Sequence, residues 1–240
     1  MKFLHWQKHF QDNAIHFDHL NWNDPVRLTP REKKAIYSSI QQFQRGEHSE
    51  GKHFLQFAET MNDESYLKTI RFFIREEQDH ALVLGKFMDI QDIPRIKKDW
   101  LDNVFRFLRK ATGLEGTVTV LLTAEIIAVD YYKALQNATS SPLLQKICGQ
   151  ILVDEEMHLC FQSYTLNVLY ARKSRVSVFF SRAIHRVLMT GTIVMVWFSH
   201  RAVFAAGGYS FISFFKGAWK EFRKCEKMIK KNSNVKVYAA

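Results

Sequence analysis

Glu47, Glu77 and His80 form a spacing that the chain repeats 78 residues later as Glu125, Glu155 and His158. In each copy a lone Glu precedes a Glu-x-x-His by 30 residues, and the second copy follows the first without slippage. A Glu and a His at i and i+3 project from one face of a helix, so each Glu-x-x-His offers an oxygen and a nitrogen to one point in space. In an antiparallel helical hairpin, two residues reach the same height only when the turn falls midway between them. Midway from Glu47 to Glu77 is Asn62, within Met61-Asn62-Asp63-Glu64; midway from Glu125 to Glu155 is Ser140, within Thr139-Ser140-Ser141-Pro142. Both are cap-and-turn sequences. Two hairpins therefore set four carboxylates and two imidazoles at one level, roughly 22 Å from each turn at 1.5 Å per residue. That is the ligand set of a carboxylate-bridged dinuclear metal site inside a four-helix bundle.

The residue types explain the metal. Four carboxylates neutralise two divalent cations and can change between bridging and terminal modes, while one imidazole per metal leaves positions open. Such a set suits iron or manganese rather than zinc, whose structural sites close with Cys and His. Ala124-Glu125-Ile126-Ile127-Ala128 places a carboxylate inside an apolar helix, where an uncompensated charge is costly and a metal is the natural partner. Glu76 and Asp154 directly precede the ligands Glu77 and Glu155. Each is placed to accept the free ring N–H of the His on the opposite hairpin, fixing its tautomer. Glu50 lies one turn beyond Glu47 in a further Glu-x-x-His, Glu50-Gly51-Lys52-His53, but the repeat maps it onto Ala128 and so selects Glu47. Glu50 is left as an additional carboxylate near the metals. The leader's His5, His9, His16 and His19 read as part of an amphipathic helix.

The rest of the chain is organised around that repeat. With 240 residues, 47% hydrophobic, 10 Gly and 4 Pro, long helices are favoured over a loop-rich fold. A leader (residues 1–29, partly helical) precedes a bundle (30–172). Its first helix starts at the Thr29-Pro30-Arg31-Glu32 capping box and runs to about Met61, and its second spans about Asp63 to Met88. Residues 91–112, broken at Pro94 and holding a short helix from Asp99, form a long crossover between helices 2 and 3. Leu114 to Asn137 and Pro142 to Tyr170 complete the four. Residues 173–232 read as a helical hairpin about the Ala205-Ala206-Gly207-Gly208-Tyr209 turn, and 233–240 as a tail. The hairpin's apolar stripes are Phe180, Ile184, Val187, Gly191, Val194 and Phe198, then Phe211, Phe215, Ala218, Phe222, Cys225 and Ile229, both taken to pack on the bundle. Cys148, Cys160 and Cys225 have no Cys-x-x-Cys spacing, which points to a reducing, cytoplasmic setting. The first residues lack an apolar signal core, and no run of about 18 uninterrupted apolar residues marks a spanning helix.

On Glu47, Glu77, His80, Glu125, Glu155 and His158, with Glu76 and Asp154 beside them, residues 30–170 resemble the ferritin-like superfamily of diiron-carboxylate proteins. The resemblance implies an all-α, ferritin-like four-helix bundle holding two iron ions, with manganese as the alternative metal and dioxygen as co-substrate. It departs from three branches. Leu84 stands where tyrosyl-radical ribonucleotide reductase subunits carry a Tyr, storage ferritins lack the second Glu-x-x-His, and the cysteine-rich domain of rubrerythrins is missing. What remains is similar to an oxygen-activating oxidase or monooxygenase acting on a small, lipophilic organic substrate. Phe73, Ile74, Leu121, Leu122 and Ile151 are the candidate lining of the substrate cavity, and an external electron donor is implied. A ferroxidase without organic substrate and a tRNA-modifying diiron hydroxylase are the alternatives. A homodimer and a peripheral contact with a membrane are compatible with this reading, and a nucleic-acid partner is not expected.

Overall fold

Cap chemistry sets where the helices begin. The computed structural model describes residues 3–14, 17–23, 27–48, 51–97, 107 and 112–230, and every regular element among them is helical. In chain order these are α1 (Leu4–Asp12), α2 (Pro30–Glu47), α3 (Lys52–Glu59), α4 (Glu64–Ile90), α5 (Gly113–Asn137), α6 (Pro142–Tyr170), α7 (Arg175–Ala206) and α8 (Phe211–Lys230). Thr29 and Glu32 form a reciprocal capping box at α2. Asp63, Ser141 and Ser174 accept the Tyr66, Leu144 and Ser177 backbone N–H groups at the starts of α4, α6 and α7. Asn62, with φ 50°, makes the turn into α4. Glu32 also accepts from Ser140 Oγ at 2.8 Å, tying the start of α2 to the α5–α6 turn.

The first long helix does not run through to Met61. It stops at Glu47 and resumes as α3 at Lys52. The physical reason is Gly51, which adopts a left-handed φ of 61° and sits where a Cβ would collide with the Ile74 side chain. The short helix expected from Asp99 and the tail from residue 233 lie outside the described residues.

α4 packs on α1, α2 and α6, α5 lies along α6, and α3 closes against α4 and α5. Buried apolar residues on all these helices join in one core. α7 covers α5 and α2, and α8 covers α6 and α5. Gly207 permits that approach, because a Cβ there would lie 2.7 Å from Ala134 Cα. On α8 the expected stripe faces inward from Ala218 onward: Ala218, Phe222, Cys225 and Ile229 are buried and Phe215 is half-buried, but Phe211, in the first turn, is exposed. On α7 the expectation is reversed. Phe180, Ile184, Val187, Gly191, Val194 and Phe198 all face solvent, and a Cβ on Gly191 would meet nothing. The buried face instead carries Met189, Ile193, Val196 and Val203 together with His185, Thr192 and His200. Histidines can point inward because each has a hydroxyl partner. His185 Nε2 lies 3.1 Å from Thr123 Oγ1, and His200 Nδ1 2.8 Å from Ser39 Oγ. By length and composition α7 is also long and apolar enough to cross a membrane, although Arg186 and Arg201 interrupt its apolar run.

Burial pushes both histidines down to about 4. The unfolded chain takes up each proton near 6.5 and the folded protein only near 4. Stability is therefore lost as pH falls through that window, by about 3 kcal/mol per histidine. His185→Gln combined with His200→Gln is expected to move the acid-unfolding midpoint, followed by circular dichroism, to lower pH. An unmoved midpoint would remove the two side chains from the acid response.

Candidate metal centre

The sequence repeat converges on one point of the interior. α2 delivers Glu47 at its last turn, α4 delivers Glu77 and His80, α5 delivers Glu125, and α6 delivers Glu155 and His158. Among the described residues, two four-membered groups have potential ligand atoms within 4.8 Å of one another: Glu47, Glu77, His80 and Glu155, and Glu77, Glu125, Glu155 and His158. Glu77 and Glu155 belong to both. Each group has its own Glu and His, and the two have two carboxylates in common, so the residues could hold two adjoining cations. Glu155 spans the two groups, with Oε1 4.0 Å from His80 Nδ1 and Oε2 3.5 Å from His158 Nδ1.

The ring nitrogens are sorted between the two sides of each imidazole. His80 Nε2 lies 3.1 Å from Asp154 Oδ2, and His158 Nε2 lies 3.0 Å from Glu76 Oε1, so each His meets the carboxylate that precedes the ligand Glu of the opposite hairpin. The Nδ1 atoms therefore face the carboxylate cluster. His158 Nδ1 stands 3.0 Å from Glu77 Oε1 and 3.8 Å from Glu125 Oε2.

Such a cluster of acids is unfavourable by itself. Glu155 and His158 are fully buried, and Glu47 and Glu125 nearly so. Neither oxygen of Glu155 makes an aligned hydrogen bond, and Glu77 Oε1 and His158 Nδ1, although 3.0 Å apart, are not oriented for one either. Buried polar atoms are nearly always satisfied, so four such atoms converging on one point fit a cation as their missing partner. The electrostatics agree. Burial, then the neighbouring Glu77, holds the Glu47 carboxyl well above its usual range; burial and Glu125 do the same to Glu155. Burial opposes a charge on His158, but the surrounding carboxylates outweigh it and push its pKa well up. Burial also works against the Glu125 carboxylate, yet His158 beside it outweighs burial and brings its pKa down. Protons stand in for missing positive charge.

Several participants escaped the sequence reading. Tyr132, fully buried on α5, donates its hydroxyl to Glu47 Oε1 at 2.5 Å. Asn13, just past the end of α1, donates to both Glu76 Oε2 at 3.0 Å and Asp154 Oδ1 at 2.9 Å, and Gln150 donates to Asp154 Oδ1 at 2.9 Å. The leader thus braces both carboxylates that hold the imidazoles. It also roofs the centre with aromatic rings, Phe10 at 5.8 Å from the His158 ring and Phe17 at 5.8 Å from the His80 ring. The Phe3, Trp6 and Phe10 spacing could have signalled an apolar face, but nothing marked Asn13 as its polar contact with the site.

Of the proposed cavity lining, Phe73 stacks edgewise on His158 at 4.7 Å. Ile74, Leu122 and Ile151 are buried and Leu121 is half-buried. Ile74 is occupied in packing against Gly51. Clefts of about 680 and 500 Å³ are lined by Gln136, Gln145 and Gly207 and by Pro30, Lys33 and Tyr37, and none of these residues is a ligand. Glu50 and His16 lie outside the described residues; His5 and His9 are on α1, His19 is exposed, and none of the three joins a metal-ligating group. No protein-family model matches the chain, and no curated protein sequence matches it.

Proposed function

We propose that this chain is a ferritin-like diiron protein that activates dioxygen to oxidise a small, lipophilic organic substrate. The observation that carries the reading is the pair of four-residue groups sharing Glu77 and Glu155 in the buried interior, with one imidazole to each group. Glu47 and His80 would hold one ion, Glu125 and His158 the other, and Glu77 and Glu155 both. Oxygen-rich ligation with a single nitrogen per ion favours iron or manganese. When bound, such a pair supplies the electrons and the Lewis acidity for reducing dioxygen.

The chain's own groups prepare the site. Glu76 and Asp154, braced by Asn13, keep each imidazole turned with Nδ1 inward. Tyr132 donates its hydroxyl to Glu47 Oε1, a buried hydrogen bond that would fix the orientation of this carboxylate without water. Phe10, Phe17 and Phe73 exclude solvent from both histidines. Support for the ferritin-like arrangement comes from ligands delivered in the order α2, α4, α5, α6, with the long 91–112 connection between the second and third.

Anaerobic Fe(II) titration followed by oxygen tests the proposal, with fatty acids as the first lipophilic probes and a chemical reductant as electron donor. About two ions per chain, as a dinuclear site demands, and oxygen uptake coupled to an oxygenated product are expected. Uptake of iron far beyond that stoichiometry with no product would favour iron handling. A value of one ion per chain would sink the dinuclear centre.

A further inference from the structure

Independently of the metal, the outer layer of the molecule has an unusual surface. Val176, Phe179, Phe180, Ile184, Val187 and Phe198 of α7 are each between 59 and 74% exposed. Most fall on one line of the helix, continued through Gly191, Val194 and Ala202, and no charged side chain interrupts it from Val176 to Phe198. The line is about 33 Å long at 1.5 Å per residue. With Phe211 and Ile212 beside it, the ridge amounts to roughly 900 Å² of apolar surface, above the roughly 300–600 Å² of the largest patch on an ordinary soluble monomer.

The adjoining helix carries the complementary feature. α7 and α8 lie side by side on α5, joined by the Arg186–Glu226 ion pair at 2.7 Å and by the Phe204–Phe214 ring contact at 4.2 Å. With Phe222 and Ile229 turned inward, α8 turns Lys216, Lys220, Arg223, Lys227 and Lys230 to solvent. Residues 172–230 contain 12 Lys and Arg against two Glu, a balance of +10 that equals the net charge of the whole chain. The outer layer thus combines an uncharged hydrophobic ridge on α7 with a row of solvent-facing cations on α8.

We propose that this outer face of α7 and α8 docks on an anionic lipid surface, the α7 ridge entering the boundary between headgroups and acyl chains and the α8 cations meeting lipid phosphates. Interfacial helices use this combination, the apolar area supplying depth and the basic residues supplying attraction. A second copy of the chain is disfavoured as occupant, because pairing two such faces would bring two rows of α8 cations together. A spanning orientation is disfavoured because the other side of α7 is committed to α2 and α5 through His185, Met189, Ile193 and His200. The ridge itself has almost no polar group to fix the register of a protein partner.

The full chain is to be sedimented with phosphatidylcholine vesicles, with and without phosphatidylglycerol, at about 0.1 and 1 M salt, where the screening length falls from ~10 to ~3 Å. Binding to the anionic vesicles is expected to be at least tenfold tighter than to neutral ones at low salt, and to weaken at high salt. Phe180→Glu with Phe198→Glu is expected to reduce it at least tenfold while circular dichroism and melting stay unchanged, since both side chains are exposed. If that variant fails to fold, Lys216→Gln with Lys220→Gln gives the second reading, an expected loss of preference for anionic lipid. Absence of vesicle binding overturns the proposal, as does binding indifferent to both variants. A concentration-dependent dimer in analytical ultracentrifugation, dissolved by the Phe180 and Phe198 changes in a chain that ignores vesicles, would assign the ridge to self-association instead.

Discussion

Glu155→Met is expected to remove both metal ions while raising the melting temperature of the metal-free protein. Glu155 is the fully buried carboxylate with neither oxygen hydrogen-bonded, and it belongs to both ligand groups. Without metal it is a burden on the fold, a buried carboxyl held protonated and without aligned partners, and such an unsatisfied polar group costs about 1–3 kcal/mol that an apolar side chain of similar volume avoids. At roughly 2–4 °C per kcal/mol for a chain of this size, the gain should be visible in a simple melt. Glu47→Ala makes the contrast, since Glu47 belongs to one group only and its loss should leave about one ion bound. Metal analysis after removal of loose ions, beside calorimetry of the same preparations, reads both effects. Two ions retained in Glu155→Met would show that this residue is not shared.

The site was legible in the sequence because its signals are independent of packing detail. An unslipped repeat with turn residues at both midpoints fixes the height of six side chains, and Glu125 within an apolar run announces a buried charge. Glu76 and Asp154 were legible for a similar reason: one position before a ligand, an acid leans towards the neighbouring hairpin. What lay hidden depends on contacts between segments distant in sequence. Asn13 reaches Asp154 across 141 residues, and Tyr132 reaches Glu47 across 85. The break after Glu47 was missed because Arg45-Gly46-Glu47-His48 reads as a tolerable helix, and Gly51 requires its left-handed turn only once Ile74 is in place. α7 misled for a different reason. Both of its faces are apolar at helical spacing, and the spacing carries no sign that His185 and His200 find hydroxyl partners inside. Hydrophobic periodicity identifies a helix; when a partner surface is not known, it does not identify the inner face.

Above pH 6.5 the metal-free protein is expected to lose stability as pH rises, and bound metal is expected to cancel the loss. Glu47, Glu155 and His158 all have pKa values raised in the folded state, the first two by burial and neighbouring acids, the third because surrounding carboxylates outweigh burial. The folded chain therefore holds protons that the unfolded chain has released, the carboxyls from near 4.5 upward and the histidine from near 6.5. With more protons on the folded form, stability falls as pH rises, by about 1.4 kcal/mol per pH unit for each proton retained. Glu125, whose pKa is lowered, acts oppositely but only as pH falls below its unfolded value near 4.5. His185 and His200 act oppositely, because only the unfolded chain protonates them, but that contribution fades as pH rises above 6.5. Cations supply the positive charge that these protons otherwise provide, so the gain in melting temperature on adding Mn(II), a redox-quiet probe under air, should grow from pH 6.5 to 8. In Glu155→Met that pH-dependent gain should vanish. A metal-free melting temperature that rises across the same interval in the wild-type chain would mean that the carboxylates ionise without cost in the folded state, and would contradict the assignment of their unpartnered oxygens to a missing cation.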